Sequence, residues 1–319
     1  MLVQTSAVGI CGTDREIVAG EYGEAPPGAD HLVIGHESIG HVLDAPDGSD
    51  LSTGDLVVGI VRRPDPVPCP NCAVGEWDMC RNGRYTERGI KGEHGYASER
   101  FRLHLPFAVR LDPALDRVGV LMEPTSVVAK AWEHLEHTGR RAAWFPRRVL
   151  VTGAGPIGLP AALLGVQRGL DVQVLDRVET GPKPRLVAAL GVEYCTKIAD
   201  TWTDADIVIE CTGAASLVLE VMERNAHNAV VCLTGVSPRG RTLDVDIGAL
   251  NRAMVLQNDV IFGSVNANRR HYEQAADALA RADKQWLEGL ITCRVPLAEF
   301  PDVLQRRDDD IKVVLDLAM

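Results

Sequence analysis

The stretch Val149-Leu-Val-Thr-Gly-Ala-Gly-Pro-Ile-Gly158 constrains this chain more than any other. A strand-like apolar run leads into Gly153, Gly155 and Gly158 at GxGxxG spacing, and Leu159 to Gly169 reads as a helix. A second strand, Asp171 to Leu175, ends on Asp176. Strand, glycine turn, helix, strand and acid, in that order, build a dinucleotide site. One glycine makes the turn, one lets backbone N–H groups touch a pyrophosphate, and one lets helix and strand pack closely. The helix N-terminus adds a partial positive charge facing the phosphates. Gly153, Gly155, Pro156, Ile157 and Gly158 are therefore candidate cofactor contacts, with Asp176 as the ribose acceptor.

At 319 residues, one large or two smaller domains are expected, and 46% hydrophobic content is ample for a core. A net charge of −11 argues against nucleic acid or an anionic membrane surface as partner. The opening Met1-Leu-Val-Gln-Thr-Ser-Ala7 has no basic stretch and no long apolar run, so no secretory leader is expected. No segment approaches the roughly 18 apolar residues of a membrane span. Eight cysteines are too few for a disulfide scaffold in a chain this long. Three of them cluster at Cys69, Cys72 and Cys80, which reads as metal binding in a reducing cytoplasm.

The texture changes along the chain. Residues 1–122 are rich in glycine, proline and short alternating runs, as in Leu56-Val-Val-Gly-Ile-Val61, and read as mostly β. Residues 123–263 alternate strand-like segments (149–153, 171–176, 192–195, 206–210, 229–235, 260–263) with helix-like ones (159–169, 184–190), the pattern of a parallel α/β sheet. Residues 264–319 carry a helix from His271 to Ala282, then strands at Leu290 to Pro296 and Ile311 to Leu317, and resemble the first zone. Asp308 to Asp310 reads as a solvated turn.

The first zone carries the chemistry. Cys11 lies in a glycine-flanked turn, and His36-Glu37 follows Gly35. Alone, such a cysteine is usually a small buried hydrophobe and such a histidine a satisfied core residue. Together they offer thiolate, imidazole and carboxylate, the three ligand types of a catalytic zinc that keeps one position open.

With Cys11-Gly-Thr13-Asp14, Gly35-His36-Glu37-x2-Gly40, Gly54-Asp55-x-Val57, the cysteine lobe and the glycine turn in this order, the chain resembles the zinc-dependent medium-chain dehydrogenases over nearly its whole length. Longer strings, Glu123-Pro-Thr-Ser-Val-Val-Ala-Lys130, Tyr85 to Tyr96 and Phe262-Gly-Ser-Val-Asn266, are similar to the archaeal and bacterial glucose 1-dehydrogenases within that family. The resemblance implies a GroES-like, mostly-β catalytic domain from both chain ends and a Rossmann doubly wound cofactor domain between them. It places a catalytic zinc on Cys11, His36, Glu37 and Glu123, with Thr13 passing the proton released from the sugar C1 hydroxyl. The product is the lactone, and hydride goes to the nicotinamide. Thr13, Glu87, Glu123 and Asn266 are the implied sugar contacts, and Thr234, Gly235, Val236, Ser264, Val265 and Asn266 the implied further cofactor contacts. A homo-oligomer, dimer or tetramer, is implied as well.

Two departures from the pattern stand out. Relatives begin with one or two more strands before the Cys-Gly-Thr-Asp motif, so the opening hairpin is missing here and an unpaired sheet edge is expected. The family's cysteine lobe has four cysteines, whereas Pro66 stands in the first position here, leaving Cys69, Cys72 and Cys80 with Asp65 or water to complete a structural zinc. For the cofactor, Asp176 favours NAD by accepting from both ribose hydroxyls and repelling a 2′-phosphate, while Arg177 can clamp that phosphate or stack on adenine. NAD with NADP tolerated is the expectation. Rival readings are another zinc polyol, sugar or threonine dehydrogenase, and a zinc-dead NAD(P)-binding protein.

Overall fold

The computed structural model describes every residue except Arg239, Arg241, Arg306, Asp308 and Met319. The acidic turn expected at 308–310 therefore lies partly outside the described residues. The chain divides into two compact units, one of Met1–Ser126 with Asn266–Met319 and one of Val127–Val265.

The first stretch of unit one gives strands β1 (Leu2–Ile10), β2 (Glu37–Asp44), β3 (Leu56–Gly59), β4 (Arg62–Arg63), β5 (Thr86–Arg88), β6 (Gly92–Glu93), β7 (Arg100–Arg102) and β8 (Ala108–Arg110). Helix α1 (Gly12–Val18) follows β1, the single turn α2 (Pro70–Ala73) sits in the cysteine lobe, and α3 spans Met122–Gly139. Unit two supplies β9 (Arg148–Thr152), α4 (Gly158–Gln167), β10 (Asp171–Leu175), α5 (Pro182–Ala189), β11 (Glu193–Cys195), β12 (Ala205–Glu210), α6 (Ala215–Val221), β13 (Asn225–Leu233), α7 (Ile247–Gln257) and β14 (Val260–Gly263). The return to unit one adds α8 (Arg269–Ala280), α9 (Lys284–Leu290), β15 (Ile291–Pro296) and β16 (Lys312–Asp316).

Unit one is built on a seven-stranded sheet in the order β15-β16-β1-β2-β3-β8, with β7 also pairing β1, beside a small β4-β5-β6 sheet. The open edge expected at the start of the chain is not at β1. That strand pairs antiparallel with β2, β16 and β7, so it lies inside the sheet. Its residues alternate between half-buried and buried at first, then are buried throughout from Ala7 to Ile10, where the sheet is covered on both faces. Val3, Val8, Val42, Val57, Tyr96 and Phe101 form one core cluster, and Ile10, Val295, Val303, Val313 and Leu315 another.

Unit two is a six-stranded, all-parallel sheet in the order β11-β10-β9-β12-β13-β14. Numbered within the unit, that is 3-2-1-4-5-6, the doubly wound dinucleotide-binding order, in which the sheet reverses direction beside β9. The inner strands are apolar on both faces because crossover helices cover both: Val149, Leu150 and Val151 of β9 and Val208 and Ile209 of β12 are fully buried.

Candidate active site and metal centre

In unit one, β1 ends at Cys11, which caps α1. Its Sγ accepts the Thr13 N–H at 3.2 Å, and Asp14 returns the favour by accepting the Cys11 N–H at 2.9 Å. His36 and Glu37 stand at the start of β2, and Glu123 in the first turn of α3. The fold brings these together: candidate ligand atoms of His36, Glu37 and Glu123 lie within 4.8 Å of one another, as do those of Cys11, Asp14 and His36. Cys11 Sγ is 3.2 Å from His36 Nε2. The donor set of thiolate, imidazole and carboxylates suits zinc, and the buried positions of His36 and Glu37 suit a metal rather than a solvated cluster.

The surroundings of these ligands were not read from the sequence. Asp14, fully buried, faces His36 Nδ1 at 3.4 Å, an ion-pair contact rather than an aligned hydrogen bond, and accepts the Gly35 N–H at 3.1 Å. A carboxylate behind a ligating histidine fixes the ring and leaves the other nitrogen for the metal. Burial alone would push the Asp14 carboxyl up, but the neighbouring His36 and the Cys11 and Gly35 N–H groups hold it down. Burial would likewise lower His36, yet Asp14 and Cys11 win and raise it well above the usual range. Glu123 is pushed up to about 7 by burial, with Glu37 and Asp14 adding to it and His36 and Lys312 opposing.

Lys312, on β16, is the largest surprise. It is fully buried and reaches both Glu37 oxygens at 2.6 Å, although 275 residues separate the pair. Glu37 thus enters the ligand cluster with its charge already partnered. The close approach needs Gly9, since a Cβ there would come 2.0 Å from Glu37 Oε2. Thr13 heads α1 with its N–H engaged by Cys11, leaving its hydroxyl for other work.

The sugar-contact candidates also meet. Glu87 on β5 and Asn266 are both buried, and Asn266 Nδ2 donates to Glu87 Oε1 at 2.5 Å. Asn266 adopts a left-handed backbone with φ of 63°, a conformation asparagine tolerates better than most residues. His94 and Glu93 stand apart from this pair: His94 accepts the Val33 N–H, and Glu93 pairs with Arg63 and Arg88.

In the cysteine lobe, Cys69, Cys72 and Cys80 place their sulfurs within 4.8 Å of one another. Cys69 is brought down to about 6 by the Arg81 and Cys72 N–H groups, while burial pushes Cys72 up to about 11. Asp65 does not join them. Its carboxylate accepts from Val67 N–H, Asn82 Nδ2 and Arg84 Nε, so three strong donors hold the oxygens that would have completed the lobe.

Unit two carries the glycine loop. Gly158 begins α4, and a Cβ there would sit 1.7 Å from the Gly153 carbonyl oxygen, so only glycine fits the turn. Around Gly155 a Cβ would meet nothing within 4 Å, the open cradle a pyrophosphate needs. Asp176 accepts the Ala154 N–H at 2.7 Å, the Val178 N–H at 3.0 Å and the Lys183 ammonium at 3.1 Å, while Arg177 is exposed. The acid of this loop is therefore neutralised by a lysine. Thr234 and Gly235 donate their N–H groups to the Glu210 carbonyl at the end of β12, and Val236 beyond them is exposed. The buried Glu210 carboxylate, another residue not anticipated, ties the strand ends together by accepting from Thr152, Thr212 and Gly213. Ser264 bonds the Leu233 carbonyl, and the Val265 carbonyl accepts from Lys130.

A GroES-like unit with a buried thiolate, imidazole and carboxylate cluster, together with a Rossmann unit, defines the class of zinc-dependent medium-chain dehydrogenases. Residues 1–112 match the alcohol dehydrogenase GroES-like domain, and residues 116–317 match the glucose dehydrogenase C-terminus. The chain belongs to the glucose dehydrogenase family. It is 38% identical to the glucose 1-dehydrogenase of Methanocella arvoryzae over 99% of this chain and 92% of that protein. It is 39% identical to glucose 1-dehydrogenase 2 of Vulcanisaeta moutnovskia over 99% and 91%. Among solved structures, the Haloferax mediterranei glucose dehydrogenase in complex with NADP, Zn and gluconolactone superposes with a TM-score of 0.91 at 34% identity, covering 100% of this chain and 92% of that one.

Proposed function

We infer that this chain oxidises D-glucose, or a closely related aldose, at C1 to the lactone, with zinc as cofactor and NAD(P)+ as hydride acceptor. The observation that carries this is the convergence of Cys11, His36, Glu37 and Glu123 in a chain of the glucose dehydrogenase family. Zinc bound there supplies a Lewis acid that makes a hydroxyl more acidic. Cys11, His36, Glu37 and Glu123 hold it. Asp14 keeps the His36 ring turned so that Nε2 faces the ligand set. Lys312 fixes the Glu37 carboxylate. The Thr13 hydroxyl takes the proton of the sugar C1 hydroxyl and passes it on, while the hydrogen on C1 leaves as hydride. Burial holds the Glu123 carboxyl at about 7 in the metal-free chain, so binding zinc through it displaces a proton near neutral pH. Glu87 and Asn266 read sugar hydroxyls. Cys69, Cys72 and Cys80 offer a three-thiolate structural zinc site.

Gly153, Gly155, Pro156, Ile157 and Gly158 cradle the pyrophosphate, and Asp176 favours NAD, but its pairing with Lys183 and the exposed Arg177 leave room for NADP. Thr234, Gly235, Val236, Ser264 and Val265 line the strand ends where a nicotinamide cofactor lies in this fold. A second copy of the chain fits the open edge at β14 and the neighbouring α7, which exposes Ile247, Val255 and Leu256. All eight cysteines are free, which suits a reducing cytoplasm. Among the described residues no helix is long and apolar enough to cross a membrane. The test is reduction of NAD+ and NADP+ with glucose by zinc-replete and chelator-treated protein. Turnover that survives complete metal removal, or that is absent with every aldose, would contradict the reading.

A further inference from the structure

Arg62 belongs to no motif singled out in the sequence, yet it is almost completely buried beside the residues proposed to read the sugar. Its Nε and Nη2 donate to Glu87 Oε1 at 3.1 and 3.0 Å. Asn266 Nδ2 donates to the same oxygen at 2.5 Å. One carboxylate oxygen thus receives three N–H groups, one more than its two lone pairs, so Oε1 is fully engaged. Glu87 Oε2 receives none among the described residues. The arginine itself has little freedom. Its Nη1 donates to the Asp78 carbonyl at 2.9 Å, and its guanidinium lies 3.8 Å over the Tyr85 ring.

We propose that Arg62 is a positioning residue of the sugar site, locking the Glu87 carboxylate so that Oε2 alone is presented to a sugar hydroxyl. The proposal rests on Glu87 being a sugar reader. A carboxylate free to rotate would offer either oxygen at a range of angles and lose that freedom on binding. One clamped through Oε1 meets the hydroxyl in a single orientation, so the ordering cost falls on folding instead of binding. Lysine cannot replace the clamp. A single ammonium lacks the planar fork that here bonds Oε1 through two nitrogens, reaches Asp78 and stacks on Tyr85 at once. If Arg62 were only a counter-charge for a buried acid, lysine would serve and only stability would change.

The experiment compares wild type, Arg62→Lys and Glu87→Gln with glucose and its 2-, 3- and 4-deoxy analogues, under saturating cofactor. The deoxy sugar whose handicap shrinks most in Glu87→Gln marks the hydroxyl that Glu87 reads. In Arg62→Lys the handicap of that same analogue shrinks, KM for glucose rises about tenfold, the scale of one lost hydrogen bond to a charged group, and kcat and the KM for NAD(P)+ stay close to wild type. Unchanged deoxy-sugar ratios in Arg62→Lys, with only a lowered Tm, overturn the proposal while leaving Glu87 as reader. Unchanged ratios in Glu87→Gln overturn the reading of Glu87, and the proposal with it. Should Arg62→Lys fail to fold, Arg62→Gly assayed with added ethylguanidinium replaces it. Recovered discrimination supports the clamp, and its absence in protein that still binds NADPH refutes it.

Discussion

The two clusters of candidate metal ligands in unit one differ in what stands behind them. Around His36 and Glu37, each ligand has a buried partner of opposite charge: Asp14 behind the imidazole and Lys312 behind the carboxylate. In the cysteine lobe, the three sulfurs have only backbone N–H groups and each other, and the Asp65 carboxylate is turned to Asn82 and Arg84. The first cluster is held in place whether or not a metal is bound. The second depends on a metal, or on reduced thiols alone, for its shape. Pre-placed ligands make a site for chemistry, and loosely partnered ones make at most a structural staple.

The comparison can be broken most sharply at His36. His36→Ala should lower turnover at least about 1000-fold, several kcal/mol of lost Lewis-acid stabilisation, while NADPH binding followed by fluorescence is retained. Cys72→Ser should leave turnover within a few-fold. A reversal of these two results would exchange the roles of the clusters. Next in size is Lys312→Met. Removing one partner of a fully buried pair costs about 3–5 kcal/mol, read as a loss of denaturation midpoint, whereas Cys80→Ser should cost markedly less in metal-free protein. Equal losses would mean that Lys312 is no more than another core contact.

Metal content sharpens the difference further. Brief chelation should empty the cysteine lobe first, leaving about one zinc per chain that Cys11→Ser removes and Cys72→Ser does not. This is measurable by mass spectrometry under native conditions. The smallest effect concerns pH. Burial pushes the Glu123 carboxyl up to about 7, from an ordinary value of 4.5, so this group favours the folded state below the unfolded value. That contribution is lost as pH rises through about 7 in metal-free protein. Zinc, which needs the ionised carboxylate, should therefore bind more tightly as pH rises across the same interval and release fewer protons on binding. A metal-free protein whose stability rises from pH 5 to 7 (about the range in which such a group titrates), with Glu123→Gln unchanged from wild type, would contradict this.

Unit two was legible because its signals are local. The glycine turn, its flanking strands and Asp176 all fall within a few turns of chain, and β9, α4 and β10 lie within a residue or two of where the periodicity placed them. The eighteen-residue α3 was not read, because its small and polar residues, Thr125, Ser126, Ala129 and Lys130, hide the apolar period. Among the site residues, ligand types could be recognised from motifs, but their partners could not. Nothing near Glu37 in sequence points to Lys312, and nothing near Glu87 points to Arg62 as a clamp. Those pairs exist only once sheet register is set, and register is a property of distant strands.

The position of β1, between β2 and β16, has a consequence for how the chain is made. Unit two is one continuous stretch, so its parallel sheet can close while the ribosome is still adding the returning part of unit one. Unit one cannot close at that stage, because the strand that flanks β1 on one side, and brings Lys312 to Glu37, is synthesised after unit two. Until then a nascent chain carries a finished parallel sheet together with a strand whose Ala7–Ile10 stretch lacks one of its partners, a form exposed to wrong pairing with a neighbour. Quality control in this protein therefore falls on β16: a ribosome that stalls before reaching it releases a polypeptide with its parallel sheet complete but without the lysine that pairs with Glu37.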